Sequence, residues 1–70
     1  MLAGVEFEFR DRAGRPLRGI VSGETLQRTY GAAAWPDSWL ATFENHRAEI
    51  VASAQARRDA GAGRFGVIVL

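Results

Sequence analysis

Apolar and polar residues alternate without a fault from Val5 to Arg10, with Val5, Phe7 and Phe9 on one side and Glu6, Glu8 and Arg10 on the other. A period of two marks a strand with one buried and one wet face. The alternation breaks over residues 11–16, where Gly14 suits a turn. Residues 17–21 then read as a second strand, antiparallel to the first across this short loop. That hairpin brings Arg15 and Arg18 opposite Glu6 and Glu8 on the wet face, in cross-strand pairs worth about 0.2–1 kcal/mol each.

From Ser22 onward the period lengthens. Ser22 can cap a short helix, and Glu24 falls in its first turn, where the helix dipole favours an anion. Leu26 and Tyr30 share a face at i, i+4, and Gly31 is a stop signal. After a connection that ends at Pro36, Asp37 or Ser38 can cap a long helix over residues 37–60. Leu40, Phe43, Arg47, Ile50 and Ala54 recur there at spacings of three and four, and Trp39, Val51 and Arg58 widen the stripe. Arg57 and Arg58 lie in its last turns, where cations suit the dipole, and Gly61 and Gly63 end it. Residues 64–70 form a final strand: Phe65, Val67 and Val69 on one face, Ile68 and Leu70 on the other, apolar on both.

This order predicts an α+β fold, ββααβ, in one domain spanning residues 1–70. A three-stranded antiparallel or mixed sheet carries one short and one long helix on one face, and Val5, Phe7 and Phe9 pack beneath the helical stripe. An edge strand with two apolar faces invites pairing. The expected partner is a second copy, in a homodimer, and the interface candidates are Trp35, Trp39, Ile68 and Leu70. Trp35, in the linker before Pro36, is either a lid on the core, which the average burial of tryptophan favours, or an exposed anchor for a protein partner.

Composition narrows this reading. A 70-residue chain buries only about 60% of its unfolded surface, and self-association is one common support. The absence of cysteine excludes a disulfide and a thiolate zinc site. Nine basic residues, all arginine, against eight acidic ones leave a net charge of +1, too small for a strong field toward nucleic acid or an anionic membrane. The first residues lack the basic and apolar regions of a signal peptide, and no apolar run approaches the ~20 residues of a membrane span. The expectation is a cytoplasmic protein with no membrane association.

Several residues together carry a family resemblance: Val21-Ser22-Gly23-Glu24-Thr25-Leu26, then Tyr30-Gly31, then Leu40, Phe43, His46-Arg47, Ile50 and Ala54. From about Val5 to Gly61 the chain resembles the small bacterial family catalogued as domain of unknown function 1488. That family has a hairpin, a V-S-x-E-x-L helix start ending in aromatic-Gly, and a long helix with F-x-x-[NH]-R-x-x-I. Two positions depart from the pattern: Gly23 replaces a better helix former, and Thr25 stands where alanine is usual. The resemblance implies a small α+β domain and brings no known activity.

Candidate chemistry is sparse. Arg47 falls inside the apolar stripe, where an unpaired guanidinium would cost several kcal/mol or more. Pairing with Glu44 or Glu24 is the favoured reading, and an anion or partner contact built from Arg47, His46 and Glu24 is the alternative. His46 is the single histidine, and Ser53 lies about 10 Å along the helix from it, too far for a catalytic triad. His46 and Glu49 supply two metal ligands where three or four are needed. No catalytic, metal or cofactor site is therefore expected. Arg12, Arg15 and Arg18 on the hairpin, with Arg57 and Arg58 at the helix end, are the candidate nucleic-acid contacts, but Glu6, Glu8, Asp11 and Asp59 are interleaved with them. The functional expectation is a non-enzymatic protein-interaction or accessory domain. The alternatives are a nucleic-acid-binding or transcription-regulatory accessory protein, and a phage-type inhibitor of a larger bacterial machine.

Overall fold

The computed structural model describes residues 4–62 and 66–70. Strands β1 (Gly4–Arg10) and β2 (Pro16–Ser22) form the expected antiparallel hairpin, with Val5 opposite Val21, Phe7 opposite Gly19 and Phe9 opposite Leu17. Glu8 faces Arg18 as anticipated. Arg15 instead stays in the turn, where its backbone N–H donates to the Asp11 carboxylate at 2.8 Å, and Ile20 takes the place opposite Glu6. Strand β3 (Val67–Val69) pairs in parallel with the other side of β2, so the sheet is mixed and ordered β1-β2-β3. A parallel pair needs a long crossover, and all three helices lie within it. Arg64 and Phe65, expected at the start of the last strand, lie outside the described residues.

The register sorts the two faces. Phe7, Gly19 and Ile68 share the face beneath the helices, while Glu6, Glu8, Arg18, Ile20, Val67 and Val69 share the other. A Cβ on Gly19 would come within 2.5 Å of the Phe7 ring, so the bare glycine lets that ring lie across β2. Ile68 is therefore a core residue at 2% exposure, and Leu70 is half-buried against the same core. This corrects the expectation that these two form an interface: the outward side chains of β3 are Val67 and Val69.

Helix α1 (Gly23–Tyr30) starts as its sequence requires. The Ser22 hydroxyl accepts the Thr25 N–H at 3.1 Å and donates to the Thr25 hydroxyl at 2.9 Å. Gly31 closes the helix at φ 77°, a left-handed conformation that glycine adopts without a Cβ penalty. Both departures from the family pattern have local causes. Thr25 joins the cap, and Gly23 lies under the Trp39 indole, where a Cβ would come within 2.5 Å of the ring. The indole is held there by its Nε1–H, which donates to the Ala33 carbonyl at 3.0 Å.

The predicted long helix is two helices, α2 (Pro36–Asn45) and α3 (Arg47–Asp59), so the element order is ββαααβ. His46 is the break, at φ −118° and ψ 19°. Its N–H donates to the Thr42 and Phe43 carbonyls, and its own carbonyl accepts the Ile50 N–H, so hydrogen bonding continues through the bend. The cause is length. A straight helix over residues 37–60 would run about 36 Å, whereas a seven-residue strand spans roughly 23 Å. Only a bent helix keeps both halves over the sheet, and Asn45 and His46, both modest helix formers, sit where it bends. The bend also shifts the buried stripe. Phe43, Ile50 and Ala54 are core, but Leu40 is 55% exposed and Arg47 lies at the surface.

Gly23→Ala should destabilise the protein by about 1–3 kcal/mol through overpacking against Trp39, outweighing a helix-propensity gain of about 1 kcal/mol. Urea unfolding of Gly23→Ala and of Gly23→Ala combined with Trp39→Leu checks this, since the smaller side chain should restore part of the loss.

Candidate functional site

The helix junction gathers four of the residues that carry the family resemblance: Tyr30, Phe43, His46 and Arg47. Tyr30, the last residue of α1, packs on the hinge residue His46, with ring centroids 4.9 Å apart. His46 Nδ1 lies 3.4 Å from a Glu49 carboxylate oxygen. The Arg47 guanidinium donates to Glu44 at 2.9 Å and covers the Phe43 ring at 5.0 Å from its centroid. Of the two anticipated mates, Glu44 is the one used: Glu24 pairs with Arg28 one turn along α1. Arg47, His46 and Glu24 are thus not brought together, and Arg47 is not in a dry stripe, because the hinge lifts it to the surface. Arg47 and Glu44 are each about half exposed, which limits their pair to about 0–1 kcal/mol.

The arginines proposed for nucleic acid are placed separately. Arg12 Nε lies 2.8 Å from Asp59, which joins the hairpin turn to the end of α3. The Gln55 amide donates to the Arg10 carbonyl at 2.9 Å at the same end. Arg18 stands on the outer sheet face opposite Glu8. Arg57 donates to the Val69 carbonyl at 3.2 Å, and Arg58 is half-buried. The hairpin turn and the end of α3 therefore meet through the Arg12–Asp59 pair, whereas Arg18 lies on the outer sheet face and Arg57 is engaged with β3.

Exposed apolar side chains are the more distinctive surface. Trp35 is 61% exposed, which corrects the expectation of a lid: its backbone caps α2, its carbonyl accepting the Ser38 and Trp39 N–H groups, while its ring stays outside. Trp39 is the tryptophan that covers the core. On β3, Val67 and Val69 are 45% and 49% exposed, beside Ile20. Sequence reasoning missed this patch because β3 is apolar on both faces and only the register shows which face is wet. Among the described residues no charged or polar side chain is buried, no group of three His, Asp or Glu could hold a metal, and no helix is long and apolar enough to cross a membrane. A cleft of about 260 Å³ opens between α1 and α3.

These features define a small α+β domain with a mixed sheet covered by helices on one face. The chain belongs to the family described as a protein of unknown function (DUF1488), whose model matches residues 4–70. No curated protein and no solved structure matches it.

Arg47→Met keeps an apolar stem over Phe43 and should cost less stability than Arg47→Ala, with both losses under about 1 kcal/mol. Thermal unfolding of the two variants measures this, and equal losses of several kcal/mol would reveal a structural ion network instead.

Proposed function

We propose that this domain is a non-enzymatic interaction module that self-associates, two copies pairing through the open edge of β3. The observation that carries this reading is the position of β3 at the edge of the sheet with Val67 and Val69 exposed. Leu70 uses both backbone groups on β2: its N–H donates to the Ile20 carbonyl at 2.8 Å and its carbonyl accepts the Ser22 N–H at 3.1 Å. By alternation, the backbone groups of Val67 and Val69 point away from β2. A two-fold axis through Ile68 sets Val67 of one copy against Val69 of the other, which extends the sheet to six strands. It also brings the exposed Val67 and Val69 side chains of the two copies together.

Such an edge is worth covering, because unpaired strand edges template association. The domain already covers part of it: the Arg57 guanidinium occupies the Val69 carbonyl, and releasing that hydrogen bond costs about 1 kcal/mol. Strands this short bury less than the ~800 Å² per partner of a standard interface. The dimer is therefore reversible, forming at micromolar to millimolar protein concentration.

Light scattering across a concentration series tests this. The wild type should move from monomer to dimer, and Val67→Asp with Val69→Asp should stay monomeric and folded. A wild type that remains monomeric at about 1 mM, where the weakest dimer expected here would form, overturns the reading. Ile68→Asp serves as the contrast: a carboxylate in the core should cost more than about 3 kcal/mol and unfold the chain.

A further inference from the structure

The last turns of α3 lie across the sheet and hold a carbonyl at each of its two edges. On one flank the Gln55 amide donates to the Arg10 carbonyl of β1 at 2.9 Å, and on the other the Arg57 guanidinium donates to the Val69 carbonyl of β3 at 3.2 Å. Residues two apart point about 200° away from each other around a helix, so the two side chains reach opposite sides. We propose that Arg57 is an autoinhibitory latch. It occupies the acceptor that a second copy must use, and so sets the concentration at which β3 pairs with β3. This inference rests on the pairing proposed above.

Three observations carry it. First, the latched group is the one that pairing needs. Leu70 uses both of its backbone groups on β2, which turns the Val69 carbonyl to the open edge. With the two-fold axis through Ile68, that carbonyl accepts the Val67 N–H of the other copy, so each dimer displaces two Arg57 side chains. Second, the latch is reversible. Arg57 is exposed, and its guanidinium returns to water on release, so each release weakens pairing by about fivefold. Third, the opposite edge has a different guard. Asp11 bonds to Arg15 across the turn, so by alternation the backbone groups of Phe9 and Phe7 face β2 and those of Glu6 and Glu8 face outward. Two β1 edges laid antiparallel about Phe7 set Glu6 of one copy against Glu8 of the other, and like charges directly opposite repel. Strand β3 carries no charge of its own. Arg57 supplies the charged cover that edge strands commonly use against association, from a side chain that can withdraw.

Light scattering across a concentration series compares the wild type with Arg57→Met, which keeps the length of the side chain and removes its donors. Arg28→Met, which removes the same charge from α1, is the control. Arg57→Met should lower the dimer Kd by about 25-fold, because two latches act in each dimer, and Arg28→Met should leave it unchanged. In dilute solution, where each protein is a monomer, the Val69 carbonyl ¹³C resonance should move upfield in Arg57→Met, as a carbonyl does on losing a hydrogen bond, and stay in place in Arg28→Met. A Kd that Arg57→Met leaves unchanged or raises means that the second lone pair of the carbonyl admits both donors, which overturns the latch and leaves the pairing standing. An unmoved Val69 carbonyl resonance does the same. A wild type that stays monomeric at about 1 mM overturns the pairing, and the latch with it, whatever the carbonyl resonance does.

Discussion

Phe7 and Phe43, with ring centroids 5.3 Å apart, tie the sheet to its helical cover. Phe7 reaches that position because Gly19 leaves room for its ring across the central strand, and Phe9 packs beside it at 5.8 Å. Phe43 comes from the last turns of α2, and Arg47 lies over its ring. The chain has to bend directly after this contact, since a helix that continued straight would leave a sheet whose strands are at most seven residues long. His46 is where it bends, and Tyr30 steadies that residue from the end of α1. Ile50 and Ala54 then reach the core from α3. The residues shared with the family pattern thus have a common structural purpose, which is to fold two helices and a hinge onto one small sheet.

The same economy leaves a surface unfinished. All three helices lie in the crossover between β2 and β3, and the apolar core they enclose is on one side of the sheet. On the other side Glu6, Glu8 and Arg18 make an ordinary wet surface and Ile20 is buried, but Val67 and Val69 are about half exposed. Trp35 and Leu40 add exposed apolar area on α2. A chain of 70 residues has limited apolar material to bury, and here Trp35, Leu40, Val67 and Val69 are left at the surface.

Much of the architecture was legible in the chain because period and punctuation carry it. The alternation in β1, the serine cap, Gly31 and the Pro36 helix start all fall where the pattern puts them. The hinge was not legible, because a helical wheel assumes a straight axis and takes no account of how long the sheet is. Arg47 was misplaced for that reason, and with it the apparent defect in the core. The two faces of β3 were ambiguous because neither carries a polar marker; they were separated by the parallel register, which depends on a pairing remote in sequence. Trp35 shows the limit of average burial as a guide: one tryptophan covers the core here, and it is Trp39, admitted by a glycine that helix propensity alone would disfavour.

The central claim is that β3 is bonded on one side and open on the other, and that a second copy closes it. Amide hydrogen exchange at single-residue resolution tests this most directly. The account predicts that the Leu70 N–H, bonded to Ile20, is protected at every protein concentration. The Val67 and Val69 N–H groups should exchange rapidly in dilute solution and gain protection as concentration rises. Rapid exchange of Val67 and Val69 at all concentrations, or full protection of both in dilute monomer, would contradict it.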